Sequence, residues 1–322
     1  MMKLKNVKMA IGASILALSL VACSGGNKAK EGNNQAAANG TTNTANTANA
    51  SKGSEKVGDL DKLGQIAVIT REDGSGTRGA FTEIAGLVEK NGEEEVDTTT
   101  ATASVQNSTN GVMTTVAGNP SSIGYISLGS LNDTVKALTL EGVEATPANI
   151  LSGDYKLARP FLLVTKGEPA EGSLEADFIK YCLSKEGQGI AEQEGYVKNE
   201  KAEDYTPGNV SGEITVAGST SVTPLMEKLV EAYKKVNSGA NIQIQSNGSS
   251  AGITAAAEGT AQIGMSSREL KDEEKNKVQG TVLAQDGIAV IVNKDNPAKD
   301  ITMDKIKSIY KGDLTEWADL AK

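Results

Sequence analysis

The chain of 322 residues is long enough for one large domain or two of medium size. It carries 32 Lys and Arg against 41 Asp and Glu, a formal net charge of −9, which argues against a nucleic-acid role driven by basic surface. It has no histidine, which excludes Ser-His-Asp and Cys-His catalysis and HExxH zinc chemistry. No metal-ligand cluster and no cofactor motif is evident in the sequence.

The first 57 residues have the pattern of an export signal followed by a tether. Lysines at positions 3, 5 and 8 precede an apolar run over residues 9–22, which predicts a signal peptide over residues 1–22. The run ends in Leu20-Val21-Ala22-Cys23, which resembles a bacterial lipobox and implies lipidation of Cys23. The alternative is an ordinary secretory signal with a chance cysteine. Residues 23–57 are rich in Asn, Ala, Thr and Gly, which predicts a disordered tether.

A loop with an oxyanion-binding pattern follows the first predicted strand. Ile66 to Thr70 predicts a strand that runs into Arg71, and Gly79 to about Lys90 predicts a helix. The Gly/Ser/Thr turn between them aims unpaired backbone N–H groups and the positive end of a helix dipole at one point. With Arg71 as its one obvious fixed positive charge, the turn predicts an oxyanion site.

The middle of the chain alternates between helix and strand patterns. A helix is predicted through residues 112–117, and buried strands are predicted at Ile123–Ser127 and Arg159–Val164. Residues 176–193 are predicted as one helix that contains Cys182, which we expect to be a buried structural thiol. Residues 201–212 are polar and include a Pro-Gly pair, which predicts a connector.

The same alternation continues to the end of the chain. It predicts strands at residues 213–217, 242–245 and 287–292, and helices at residues 222–235 and 301–310. The alternation favours an α/β fold with largely parallel sheets. Ligands of such folds usually bind at the carboxyl ends of the strands.

Two more loops repeat the strand–loop–helix pattern of the Arg71 turn. They are the segments at residues 217–222 and 246–253, both rich in Gly and Ser. Glycine permits close backbone approach, and Ser and Thr hydroxyls cap a helix or donate to an anion. One such loop is weak evidence, because plain helix capping explains many of them. Three in one chain predict a receptor for a small tetrahedral anion.

Several motifs make the chain similar to a known family. They are Arg71-Glu72-Asp73-Gly74-Ser75-Gly76-Thr77, Gly218-Ser219-Thr220-Ser221, Gly248-Ser249-Ser250-Ala251-Gly252 and Ile263-Gly264-Met265-Ser266-Ser267-Arg268. With these, the chain resembles the phosphate-binding proteins of bacterial phosphate ABC transporters from Gln65 to its C-terminus. The resemblance implies a two-lobed, type II periplasmic-binding-protein-like fold that binds inorganic phosphate and delivers it to membrane permease subunits. It also implies a protein that is not an enzyme, needs no cofactor and is lipid-anchored at the extracytoplasmic face of the cell membrane.

The resemblance assigns the binding residues. It implies phosphate contacts from one lobe by Thr220, Ser221 and Ser249, and from the other lobe by Arg71, Ser75, Gly76 and Thr77, with Asp73 holding Arg71. Ser267 stands where many relatives place an Asp that accepts the phosphate proton. Since a serine hydroxyl donates as well as accepts, selectivity against sulfate is expected to be weaker. Arg268 beside it either adds charge or is a solvated or lobe-bridging residue.

The order of the motifs differs from the family pattern. Here the Arg71 segment comes before the other loops, which is the pattern of a circular permutation. One lobe is then expected to combine residues 58–132 and 277–322, and the other to be nearly continuous over residues 133–276. The alternative is that complementary halves of two molecules pair in a swapped dimer.

Three other functions remain open at this point. One is a phosphatase with Ser75 or Ser221 as nucleophile, and another is a surface interaction lipoprotein that kept the fold without transport. The third is a binder of a different tetrahedral oxyanion.

Overall fold

The computed structural model describes residues 57–92 and 94–321, all of which belong to one compact unit. The predicted signal peptide, Cys23 and the tether up to residue 56 lie outside the described residues. No helix within residues 57–92 and 94–321 is long and apolar enough to cross a membrane.

Helices and strands alternate along most of the described chain. The helices are α1 Val57–Leu60, α2 Gly76–Ile84, α3 Thr109–Ala117, α4 Pro147–Ser152, α5 Leu174–Leu183, α6 Lys185–Gln193, α7 Thr223–Val236, α8 Ser249–Glu258, α9 Asp272–Lys275 and α10 Met303–Lys311. The strands are β1 Ala67–Arg71, β2 Val88–Asn91, β3 Glu94–Asp97, β4 Ser104–Gln106, β5 Ser122–Ser127, β6 Val135–Ala137, β7 Thr139–Leu140, β8 Ala158–Thr165, β9 Gly212–Gly218, β10 Ala240–Ser246, β11 Ile263–Ser266, β12 Gln279–Asn293 and β13 Asp300–Ile301. Two 3-10 turns cover Leu128–Ser130 and Trp317–Ala321.

Nine of the described strands form one continuous hydrogen-bonded sheet. Its order is β10-β9-β11-β8-β12-β5-β1-β4, and β6 adds to β12. The outer pairs at both ends of this order are parallel, whereas β11-β8, β8-β12 and β12-β5 are antiparallel. The sheet is therefore less uniformly parallel than predicted, because β8 and β12 run against their neighbours in its middle.

The core divides into two lobes, and each lobe packs helices on both faces of its part of the sheet. Side chains of β8 point alternately to the two faces of the sheet: Phe161 and Leu163 belong to one core cluster, and Leu162 and Val164 belong to another. The first lobe takes its core from residues 60–157, Val197 and residues 288–320. The second lobe takes its core from the remaining residues between 161 and 284.

The predicted lobe boundaries at residues 132/133 and 276/277 need correction. Leu138, Leu140 and Leu157 are buried in the first core together with the two ends of the chain. The cause is strand pairing, since β6 pairs with β12 and β7 pairs with β13. At the other boundary, Val278 and Leu283 are buried in the second lobe.

The ends of the described chain close the first lobe together. The backbone N–H of Ile66 donates to the carbonyl of Thr315 at 2.7 Å, and that of Trp317 donates to Gly64 at 3.0 Å. The indole of Trp317 is fully buried and donates to the carbonyl of Ser121 at 2.8 Å. The C-terminal segment therefore packs against the start of β1 in the lobe that carries the Arg71 loop.

Two predicted helices differ in length from the observed ones. The helix expected at residues 79–90 starts at Gly76 and ends at Ile84, because Gly86 adopts a φ of 67° and the chain turns into the β2–β3 hairpin. The helix expected at residues 176–193 is two helices separated at Ser184, whose hydroxyl caps the second of them. Cys182 is fully buried in the first of these, and burial raises the pKa of its thiol, as expected for a structural cysteine.

Candidate anion-binding site

The first-lobe half of the site is the turn between β1 and α2. β1 ends at Arg71, Gly74 takes a φ of 83° that suits a residue without a side chain, and Ser75 caps α2 by accepting a hydrogen bond from the N–H of Arg78. The side chains of Arg71, Ser75 and Thr77 are buried. The turn thus presents a guanidinium, a hydroxyl and the start of a helix at one place.

Arg71 is held by its neighbour in sequence, Glu72. The Nε and Nη2 atoms of Arg71 donate to the two carboxylate oxygens of Glu72 at 2.7 and 2.8 Å. Asp73, which was expected to hold Arg71, is 96% exposed and pairs instead with Arg78 at 2.8 Å. The expectation was wrong because Asp73 lies at the tip of the turn, just before Gly74, and points away from the guanidinium.

The backbone of Arg71 is held by Tyr125, a member of an aromatic cluster. The hydroxyl of Tyr125 accepts from the N–H of Arg71 at 3.2 Å and shares a hydrogen bond with Thr70 at 2.8 Å. The Tyr125 ring stacks on Phe81 with ring centroids 3.9 Å apart, and burial raises the pKa of Tyr125 to about 12. Tyr125 therefore stays neutral and positions the residue that carries the positive charge.

The second-lobe half of the site consists of three short segments rich in serine. Thr220 and Ser221 lie between β9 and α7, Ser249 is the first residue of α8, and Ser267 follows β11. α7 and α8 both begin without a side-chain cap, although backbone carbonyls already accept hydrogen bonds from the N–H groups of Thr223 and Ser250 in their first turns. Ser221, Ser249 and Ser267 are fully buried.

The two halves meet directly. Arg71 Nη2 donates to Thr220 Oγ1 at 3.0 Å, and Thr77 Oγ1 and Ser221 Oγ share a hydrogen bond of 2.8 Å. Gly76 lies so close to the second lobe that an added Cβ would be 2.3 Å from Ser249 Oγ. The structure therefore describes the lobes in a closed arrangement.

All eight predicted binding residues come together at this meeting point. Ser267 also lies there, because a Cβ added to Gly76 would be 2.7 Å from Ser267 Oγ. Ser75 is buried and comes directly before Gly76. The set is Arg71, Ser75, Gly76, Thr77, Thr220, Ser221, Ser249 and Ser267.

Two further residues of the site were not predicted. Thr109, the first residue of α3, shares hydrogen bonds with Ser221 at 3.1 Å and with Thr220 at 3.3 Å. Ser219 donates to Ser267 Oγ at 2.9 Å. The signal for Thr109 was present in the sequence, because Ser108 and Thr109 open a helix in the same way as the other three loops.

Four helices, α2, α3, α7 and α8, begin at the site. Contacts in their first turns or just before them join the lobes, as between Thr77 and Ser221, and the N–H of Ser250 in α8 donates to the carbonyl of Gly74 at 3.1 Å. Helix N-termini carry partial positive charge and unpaired N–H groups, both of which favour an anion. Together with the hydroxyls and one guanidinium, they form a site suited to a small tetrahedral oxyanion.

Arg268 lies at the edge of the site and bridges the lobes. Its guanidinium pairs with Glu274 at 2.7 Å and donates to Ser250 Oγ at 3.3 Å. Its Cδ would be 3.1 Å from a Cβ added to Gly79 in α2. Of the two readings left open by the sequence, contact between lobes is the one that these distances favour.

Known proteins match the chain over most of its length. A family model described as a PBP superfamily domain matches residues 31–186 and 204–322. Phosphate-binding protein PstS 2 of Streptococcus agalactiae is 50% identical over 261 residues, which cover 80% of this chain and 89% of that protein. PstS 2 of Streptococcus pneumoniae is 50% identical over 256 residues, which cover 79% of this chain and 87% of that protein.

A solved structure agrees with these matches. The crystal structure of a phosphate ABC transporter, phosphate-binding protein from Streptococcus pneumoniae TIGR4 is 49% identical and gives a TM-score of 0.65. The match covers 80% of this chain and 100% of that one. The family match, the two sequence relatives and the shared two-lobed fold lead to one conclusion: the chain belongs to the PBP superfamily and, within it, to the phosphate-binding proteins of bacterial phosphate ABC transporters.

Proposed function

We propose that this protein binds inorganic phosphate outside the membrane and delivers it to the permease of a phosphate ABC transporter. Relatives that are 50% identical over most of their length carry the name phosphate-binding protein. The observation that carries the proposal is the meeting of Arg71 and Thr77 with Thr220, Ser221 and Ser249 across the two lobes.

Phosphate is bound mainly by neutral donors in this proposal. The charge of Arg71 is already offset by Glu72, so the anion depends on N–H and O–H groups to replace its lost water. The proposed ligands are Arg71, Ser75, Gly76, Thr77, Thr220, Ser221, Ser249 and Ser267. Enclosure between the lobes strengthens each hydrogen bond, because it removes competing water.

We infer that the protein binds phosphate without chemical turnover. The chain has no histidine, and Ser221 shares its hydrogen bonds with other hydroxyls, Thr77 and Thr109. A serine without a neighbouring base is a weak nucleophile. We further propose that lipid on Cys23 holds the protein at the extracytoplasmic face of the cell membrane.

The experiment is a calorimetric titration of the purified, phosphate-stripped protein with phosphate, sulfate and molybdate. Tight binding of phosphate is expected, with weaker discrimination against sulfate than an acidic residue at position 267 would give. Tight binding of sulfate or molybdate but not phosphate would assign the site to another oxyanion. Binding of none of the three would contradict the proposal. Release of phosphate from a model ester, abolished by Ser75→Ala or Ser221→Ala, would support the phosphatase alternative.

A further inference from the structure

A buried ion pair lies where the chain passes between the lobes. β8 and β12 both extend from one core into the other, and within their antiparallel register Arg159 is paired with Asp286. The two side chains form an ion pair of 3.0 Å and are 1% and 0% exposed. Neither residue belongs to the proposed set of phosphate ligands.

The contacts of this pair lead from the first lobe to the site. Asp286 Oδ1 accepts from the hydroxyl of Ser127, at the end of β5, at 3.0 Å. Asp286 Oδ2 accepts from Arg159 Nε and Nη2 at 3.1 and 3.0 Å. Arg159 Nη1 then donates to the carbonyl of Ser267 at 3.1 Å. A continuous chain of hydrogen bonds therefore joins the Ser127 side chain of the first lobe to a second-lobe site residue.

Burial of these charges has a cost. It raises the pKa of Asp286 and lowers that of Arg159, and each charge offsets the cost of the other. Buried ion pairs often add little to stability compared with apolar residues of the same shape. The planar guanidinium of Arg159 contacts Asp286 and Ser267 at the same time. This geometry indicates a role in positioning rather than in stability.

We propose that Arg159 and Asp286 are positioning residues for anion binding, which fix the Ser267 segment relative to the first lobe. The proposal rests on the function proposed above. When the lobes close, the Ser267 segment must stand where Gly76 of the other lobe can approach it. Arg159 and Asp286 lie on β8 and β12, the strands that extend from one lobe into the other. The position of the Ser267 segment therefore depends on the geometry of these two strands.

Two variants separate this role from plain stability. Arg159→Lys keeps the charge but replaces the fork by a single ammonium, which cannot reach Asp286 and Ser267 in the same way. Asp286→Asn keeps the shape but removes the charge. A matched control is Asp177→Asn in the second lobe, where the buried Asp177 accepts from Tyr205 and Tyr233 at 2.6 and 2.7 Å, away from the site.

The test measures phosphate affinity and dissociation rate of the full chain at a temperature well below its unfolding transition, and a separate temperature scan measures its unfolding. We expect Arg159→Lys and Asp286→Asn to bind phosphate roughly tenfold more weakly, chiefly through faster dissociation. Asp177→Asn should lower the unfolding temperature and leave the affinity unchanged. Where Asp286→Asn does not fold, the double variant Arg159→Met/Asp286→Leu replaces it and is expected to show the same weakening.

The outcomes are distinct. Wild-type affinity in Arg159→Lys and in the folded Asp286 variant overturns the inference and leaves the proposed function intact. Tighter binding by Asp286→Asn also overturns it, because that result assigns the effect to the uncompensated charge of Arg159. If the wild type binds no phosphate but binds sulfate or molybdate, the proposed function fails, and the same variants test the positioning role with that anion.

Discussion

The two halves of the site are built differently. In the first lobe, Arg71 is fixed by side chains, namely the Glu72 carboxylate, the Tyr125 hydroxyl and Arg78, which donates to the Arg71 carbonyl at 3.0 Å. In the second lobe the site residues are neutral, and tight backbone packing fixes them. A Cβ added to Gly252 in α8 would be 2.4 Å from the carbonyl of Ala217.

This difference separates two contributions to binding. The first lobe supplies the positive charge, and its side-chain supports are Glu72 and Arg78 from the same segment and Tyr125 from β5, 54 positions along the chain. The second lobe supplies enclosure by hydroxyls and helix N-termini that are set by local loops. Substitutions in the first lobe should therefore weaken phosphate binding by removing the charge or the contacts that hold it. Substitutions where the lobes meet should weaken it by disturbing the packing between them.

The largest expected effect tests whether the first-lobe half depends on the C-terminal segment. Trp317→Ala removes a fully buried indole and its hydrogen bond to Ser121. We expect the free energy of unfolding, measured by urea denaturation, to fall by about 3–5 kcal/mol. Hydrogen exchange should increase at residues 66–71 more than at residues 214–218.

The control for this prediction is Leu151→Ala, since Leu151 lies in the same lobe and is 66% exposed. It should change stability by less than about 0.5 kcal/mol. Equal loss of exchange protection in both lobes of the Trp317→Ala protein would show that the halves do not differ in their dependence on the chain end.

The next effect concerns the charge itself. Arg71→Ala should weaken phosphate binding by about 2–5 kcal/mol, because it removes the guanidinium and leaves the Glu72 carboxylate unpaired beside the anion. Calorimetric titration measures the change. Arg71→Lys, which keeps a charge without the fork, should fall between Arg71→Ala and the wild type. Near wild-type affinity in Arg71→Ala would mean that the first lobe does not supply the decisive charge.

A smaller effect is expected at the contact surface between the halves. In Gly76→Ala the new Cβ would press on Ser249 and Ser267, which should cost the closed state about 1–3 kcal/mol. Phosphate affinity should fall accordingly, and the stability of the phosphate-free protein should change little if its lobes are open. Gly189→Ala is the control, because Gly189 also lies in a helix and no atom lies within 4 Å of its added Cβ. Unchanged affinity in Gly76→Ala would show that closure leaves more room than the structure describes.

The sequence predicted the second-lobe half of the site better than the supports of the first. The loops that carry Ser221 and Ser249 follow from strand–loop–helix patterns, which are local, and the resemblance implies the two residues themselves. The choice of Glu72 over Asp73 as partner of Arg71 depends on how the turn at Gly74 directs consecutive side chains, and a pattern of residue types does not contain that direction. The lobe boundary was placed too early because the pairing of β7 with β13 joins residues 161 positions apart. The predicted circular permutation stays a prediction.

The smallest expected effect comes from two ion pairs, one next to each half of the site. Arg78 pairs with Asp97 in the first lobe, and Arg268 pairs with Glu274 in the second. Partial burial opposes ionisation of both carboxyls, but hydrogen bonds, from Thr99 and Arg78 to Asp97 and from Arg268 and Lys271 to Glu274, hold the pKa of each below its ordinary value. Each therefore stabilises the fold above the pKa of the unfolded chain, and this contribution is lost as pH falls through the lower folded pKa.

Asp97→Asn and Glu274→Gln should each lower the free energy of unfolding at neutral pH by no more than about 1 kcal/mol, and the deficit should shrink below about pH 4.5. Urea denaturation across this range measures it. The two substitutions should change phosphate affinity to different extents. Arg78 donates to the backbone carbonyl of Arg71, whereas Arg268 contacts the hydroxyl of Ser250. A weaker phosphate affinity in Asp97→Asn than in Glu274→Gln would support the division between a charged, supported half and an enclosing half. The reverse order would contradict it, because the second half would then depend on side-chain support as much as the first.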